Sequence, residues 1–105
     1  MAEEIFKVII SDQVEDDLVE IFEYYQSVSK DAEIAIGIAE KIENIIKELY
    51  FMPERGSNLR NKINTETDLK YIRVYNWDII YRIIKQEVHI KAIVHEKREF
   101  LHFTF

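Results

Sequence analysis

The sequence predicts an α+β fold: a two-layer β-α-α-β-β-β chain with a helical hairpin packed on one face of a small antiparallel sheet. Three observations carry it. A short apolar run opens the chain, two amphipathic stretches at helical spacing follow, and three strand-like runs with hairpin-short connections close it. Two helices with one apolar stripe each need a sheet to cover, and a three-stranded meander is antiparallel. After an up-and-down helical hairpin, the first strand is expected as an antiparallel edge beside the first or last strand of the meander.

Phe6 to Ile10, FKVII, is the opening strand. Asp12 and Glu15 have capping-box spacing, with Asp12 as N-cap. Val14, Leu18, Ile21, Phe22 and Tyr25 then recur at helical spacing, with Glu15, Asp16, Glu20 and Glu23 on the other side, which predicts a helix over about 12–27. The Ser27-Val28-Ser29-Lys30 stretch breaks the pattern, and Ser29 or Asp31 can cap a second helix. Its stripe is Ala35, Ile38, Ala39, Ile42, Ile45, Ile46 and Leu49, and Pro53 stops it near Met52. Residues 53–68 are polar and rich in turn formers, with room for a short strand around Asn58 to Lys62. Strands are predicted at Leu69–Tyr75, Trp77–Ile84 and Val88–His95, followed by a basic and aromatic tail, EKREFLHFTF.

Composition narrows the function classes. The chain has 105 residues, 48% apolar and 32% charged, which suits one globular domain over 1–105. It has no cysteine, so thiolate metal sites, disulfides and cysteine nucleophiles are excluded. Gly-rich phosphate loops are absent. The apolar runs are too short to span a membrane, and the acidic start lacks the pattern of a secretory signal, so a cytoplasmic location is expected. The net charge of −6 is split unevenly. Residues 1–52 hold four Lys against thirteen carboxylates, and residues 53–105 hold ten Lys or Arg against seven. All five Arg lie in that second half, which leaves room for a local basic face.

Strict alternation sorts the strands into faces. Trp77, Ile79, Tyr81 and Ile83 share the face under the helices, with Ile72, Val74, Val88, Ile90, Ala92 and Val94. The opposite face then gathers Tyr71, Arg73, Tyr75, Arg82, His89, Lys91, Ile93 and His95. Lys70 falls in core phase, with its ammonium expected to snorkel to water. Cations interleaved with aromatics suit phosphates and unstacked bases, and any half-exposed sheet also has a polar outer face. His89 and His95 are six residues apart on one strand, roughly 20 Å, so they cannot share a metal ion. No metal and no cofactor are expected.

Several segments in order, FKVIIS, VEDDLVEIFEYY, ELYFMPERG, LKYIRVYNWDIIYRI and VHIKAIVHEKRE, resemble the RelE/ParE family of bacterial toxins from type II toxin–antitoxin systems. The resemblance spans nearly the whole chain. It implies two helices on a small antiparallel sheet, with the first strand beside the last. It also implies a cognate antitoxin partner and one of two targets: DNA gyrase, or the ribosome with its mRNA. RelE-like members are ribonucleases using sheet-face Arg and Lys with a tail Tyr or His. On that reading Arg73 and Arg98 match family arginines and His95 is the acid/base candidate, with His102 behind it, since no Tyr follows Tyr81. ParE-like members inhibit gyrase, and PERG and VHEKR resemble their loop and closing segments. Target contacts are then expected from Lys70, Tyr71, Arg73, Arg82, Lys91 and Lys97. The ParE-like reading is preferred. A RelE-like ribosome-dependent mRNA endoribonuclease and an inactive toxin-like binding module stand as alternatives.

Overall fold

The computed structural model describes residues 5–29, 32–60 and 66–95. Its elements are β1 (Lys7–Ile10), α1 (Asp12–Ser29), α2 (Ala32–Glu48), a 3₁₀ turn (Pro53–Arg55), β2 (Ser57–Asn58), β3 (Lys70–Val74), β4 (Trp77–Ile84) and β5 (Glu87–His95). The strands form one sheet in the order β1-β5-β4-β3-β2. The expected α+β architecture is present, with the first strand beside the last.

Ser11, not Asp12, caps α1: its Oγ accepts the Val14 N–H at 3.2 Å. Asp12 becomes the first helical residue, where its carboxylate meets the positive helix end. The helix continues to Ser29, two residues past the expected stop. Ser27 does not end it, because its hydroxyl donates to the Tyr24 carbonyl one turn back, at 3.3 Å. The expected cap at Asp31 lies outside the described residues, and Ser29 belongs to α1. The second helix ends at Glu48 rather than near Met52. Its last turn tightens, with Leu49, Tyr50 and Phe51 N–H groups donating to carbonyls three residues back.

The opening strand corrects one expectation. β1 runs parallel to β5, from Lys7 opposite Glu87 to Ile10 opposite Ile90. The cause is β2, which pairs antiparallel with β3 through Ser57↔Tyr71 and Asn58↔Lys70. This extra strand adds one chain reversal before the meander, so every later strand points the other way relative to β1. The expected extent of that strand, 58–62, shrinks to two residues within the described chain.

A second correction concerns alternation. Trp77 lies opposite His95, Ile79 opposite Ile93 and Ile80 opposite Ala92, but Tyr81 lies opposite Ile90. Lys91 is left without an opposite residue, which makes a β-bulge. Beyond it the faces exchange. Ile93 joins the helix-side core with Val14, Ile21, Ile42, Leu49, Ile79 and Tyr81. Ala92 and Val94, expected beneath the helices, lie on the far side with Leu59, Leu69, Ile80 and Tyr71. The sheet therefore has a core on both faces, and β4 buries Asp78, Ile79, Ile80 and Tyr81 in succession.

Both connections of the meander are two-residue turns, and Tyr75 and Lys85 take positive φ there, each 56°.

The far-side cluster should behave as a true core. Leu59 is fully buried, and Leu59→Ala should cost about 2–5 kcal/mol, like a helix-side truncation such as Ile42→Ala. Urea unfolding of the two variants would measure this. A loss at Leu59 far below that at Ile42 would show the cluster to be mere loop covering.

Candidate functional site

Tyr81 anchors the PERG loop to the sheet. Its buried hydroxyl donates to the Pro53 carbonyl at 2.7 Å and accepts the Gly56 N–H at 3.0 Å. The loop sits so close that a Cβ on Gly56 would collide with the Tyr81 hydroxyl and lie 2.9 Å from the Tyr71 carbonyl oxygen. Burial pushes the Tyr81 phenol above its ordinary 10.0, with the Glu54 charge adding to the rise. The Gly56 N–H bond and the Arg55 charge oppose it. The charges around the loop are paired: Arg55 with Glu48, and Lys70 with Glu54 at 3.2 Å. Lys70 also donates to Asn58 Oδ1 at 3.2 Å. Lys70 thus faces the helix side, as its phase predicts, and braces the loop.

Arg73 and Arg82 stand on the far face, and both are already engaged. Arg73 grips Asp78 with two bonds, Nε to Oδ1 at 2.7 Å and Nη2 to Oδ2 at 3.1 Å. The Asp78 side chain is 0% exposed and that of Arg73 is 39% exposed. A buried carboxylate needs such a partner, so Arg73 is a structural residue as well as a surface cation. Arg82 bonds Asp68 at 2.8 Å. His89 lies 3.1 Å from Glu87. Lys91 stands at the bulge, half-buried, with no ion pair among the described residues. Tyr71 is half-buried against the far-side cluster rather than standing outward.

His95 is not on the Arg82 face. The bulge turns it to the helix side, where its ring meets Trp77 edge to face at 4.9 Å. Trp77 in turn donates to the Tyr25 hydroxyl at 2.9 Å, tying β4 to α1. Tyr24 packs edge-on against Tyr25 at 5.1 Å. A groove of about 520 Å³ opens here, lined by Asp17, Glu20, Ile21, Tyr24, Trp77, Ile93 and His95. Strict alternation hides it, because it places Ile93 and His95 on the opposite face from the one they occupy. The signal that could have found it is the consecutive apolar run Ala92-Ile93-Val94, which no strictly two-faced strand explains.

Lys97, Arg98 and His102 lie outside the described residues. Among the described residues no group of three or more His, Cys, Asp or Glu could hold a metal ion, and no helix is long and apolar enough to cross a membrane.

The arrangement is a helical hairpin on one face of a small five-stranded sheet. A chain from a structure described as "Chromosomal ParDE TA system from P. aeruginosa" superposes with a TM-score of 0.71 at 16% identity, covering 88% of this chain and 97% of that one, a likeness of fold. The family model described as the ParE toxin of the type II toxin–antitoxin system parDE matches residues 8–100. The chain belongs to that family and is the toxin component of such a system. No curated protein sequence matches it.

Tyr81→Phe removes both hydroxyl bonds and should cost about 1–3 kcal/mol. The raised phenol adds a pH signature: its contribution is complete below pH 10.0 and falls as pH rises through the folded value. The wild type should therefore lose stability above that pH with a slope that Tyr81→Phe reduces, measured by chemical denaturation across an alkaline series. Arg73→Ala removes the cation beside the buried Asp78 carboxylate and should cost about 3 kcal/mol. Arg82→Ala, at a largely surface pair, should cost about 1 kcal/mol or less. Equal effects in thermal unfolding would refute the distinction.

Proposed function

We propose that this toxin inhibits growth by acting on DNA gyrase in the cytoplasm, and that a cognate antitoxin neutralises it. The observation that carries the reading is the position of His95. A ribonuclease needs a proton-transfer group beside the cations that hold the scissile phosphate. Arg73 and Arg82 are on the far face, in register with Asp78 and His89, whereas His95 stands opposite Trp77 on the helix side. Family membership supports the same side of the choice.

The target surface we assign is the far face with the chain end beyond it: Arg73, Arg82, Lys91 and Lys97, with Tyr71 at its half-buried centre. Arg82 and Lys91 are its contact cations. Arg73 shapes it through Asp78. Lys70 drops from the contact set, because Glu54 and Asn58 hold its ammonium on the other face.

The antitoxin has apolar ground to cover. Ile5, Phe51 and Met52 are all largely exposed, and the Phe6 N–H bond to the Tyr50 carbonyl, 2.8 Å, brings their segments together beside edge strand β1. A segment that folds on binding could add a strand to β1 and bury these side chains.

The test is induction in bacteria, with and without the neighbouring small gene, read by gyrase supercoiling and by mapping mRNA ends. Growth arrest with inhibited supercoiling and intact mRNA is expected, relieved by co-expression of the antitoxin. His95→Ala should leave that arrest nearly unchanged. Ribosome-dependent cleavage that His95→Ala slows by about 10²–10⁴-fold would overturn the reading in favour of a RelE-like ribonuclease. Full growth without arrest would favour an inactive binding module.

A further inference from the structure

The groove beside Trp77 is unused by the reading above, and its chemistry is unlike that of the far face. Its volume, about 520 Å³, suits a small molecule. Buried Ile93 gives it apolar ground, Tyr24, Trp77 and His95 give it aromatic ground, and Asp17 and Glu20 give it negative charge.

That negative charge is not offset nearby. The helix that supplies it, α1, carries six carboxylates and no Lys or Arg, and the negative end of its dipole lies beyond Tyr24. Asp17 accepts one bond, from Gln13 Nε2 at 3.0 Å, which leaves most of its lone pairs open. Glu20 has no ion-pair or hydrogen-bond partner among the described residues. The Trp77 indole N–H is taken by the Tyr25 hydroxyl at 2.9 Å, so the ring is fixed in place beside the carboxylates. Ammonium groups gain from carboxylates and from the faces of Trp and Tyr together. An anion would be repelled.

Spacing sharpens the choice of cation. Asp17 and Glu20 are three residues apart on the helix, so their Cβ atoms are about 5–6 Å apart. At about 1.5 Å per bond, an aliphatic chain of three or four methylenes holds two ammonium groups at a matching interval. A lysine or arginine side chain brings one charge and leaves one carboxylate unanswered. A free aliphatic diamine brings a charge for each.

We propose that the groove between α1 and the ends of β4 and β5 binds an aliphatic diamine or polyamine, with its ammonium groups on Asp17 and Glu20 and its methylenes against Tyr24, Trp77 and Ile93. Such a ligand joins α1 to the sheet, and binding to the folded state alone stabilises it by mass action. The groove is on the helix side, away from Arg73 and Arg82, so the ligand leaves the proposed target surface open.

Trp77 is the chain's single tryptophan, so its fluorescence reads the groove directly. Titrating the full chain with putrescine should change that fluorescence saturably and raise the Tm, and added NaCl should weaken both effects. Glu20→Gln should weaken binding about fivefold, and Tyr24→Ala about two- to fivefold. Glu23→Gln, an exposed carboxylate of the same helix outside the groove, should leave binding unchanged. Butanediol, which has the same chain without charge, should have no effect. No saturable change with putrescine would overturn the proposal. So would equal affinity for butylamine, which would mean a pocket for a single cation such as a partner's lysine. Equal losses from Glu23→Gln and Glu20→Gln would also overturn it, since they would mean attraction to the helix charge at large. The readout involves neither gyrase nor the antitoxin, so it stands or falls apart from the proposed target.

Discussion

Lys91 has no opposite residue on β4, and that single slip in register organises the molecule. A bulge turns the rest of its strand over. Ile93 and His95 come to the helix side, while Ala92 and Val94 go to the far side. The helix side gains the aromatic contact between His95 and Trp77 and the groove around it. The far side gains enough apolar surface, with Leu59, Leu69 and Ile80, to form a second core. Without the slip, those residues of β5 would face the helices and the far face would be left largely polar.

Burial on both faces explains why the basic residues are less free than they look. β4 is the central strand, and its Asp78 is enclosed as fully as its apolar neighbours. An enclosed carboxylate is tolerable only with a close cation and good hydrogen bonds, and Arg73 provides both. Lys70 and Arg55 are drawn into bracing the PERG loop, which Tyr81 ties to the sheet from beneath. Among the described residues no buried side-chain nitrogen or oxygen lacks a hydrogen-bond partner. Cations in this sequence therefore hold the fold in two ways: Arg73 neutralises a buried carboxylate, and Lys70 and Arg55 brace the loop through exposed ones.

The same geometry separates chemical groups that the strand pattern placed together. His95 and Arg82 would share a face on a regular strand; here the sheet lies between them. A protein that transfers protons at a phosphate needs those groups in one place, whereas one that works by contact does not. The two faces accordingly differ in character. The far face is a paired, basic surface over a small core, and the helix side carries an acidic and aromatic groove next to the end of β5.

By itself the sequence determined the element order, the two apolar helix stripes and the three closing strands, because these depend on local periodicity that solvent exclusion enforces. It also carried the family, through the order of segments such as ELYFMPERG and VHIKAIVHEKRE. The cap at Ser11 and the end of α2 at Glu48 differ from the sequence reading by a few residues, since neighbouring polar groups compete for the same helix ends. Only the tertiary structure decided the direction of β1, because a two-residue strand with little pattern of its own sets the parity of the chain reversals. Likewise, the face of His95 and the pairing of Arg73 with Asp78 follow from one unmatched residue and from burial on both sides of the sheet. Those are relations between strands distant in sequence, and a period of two along one strand cannot encode them.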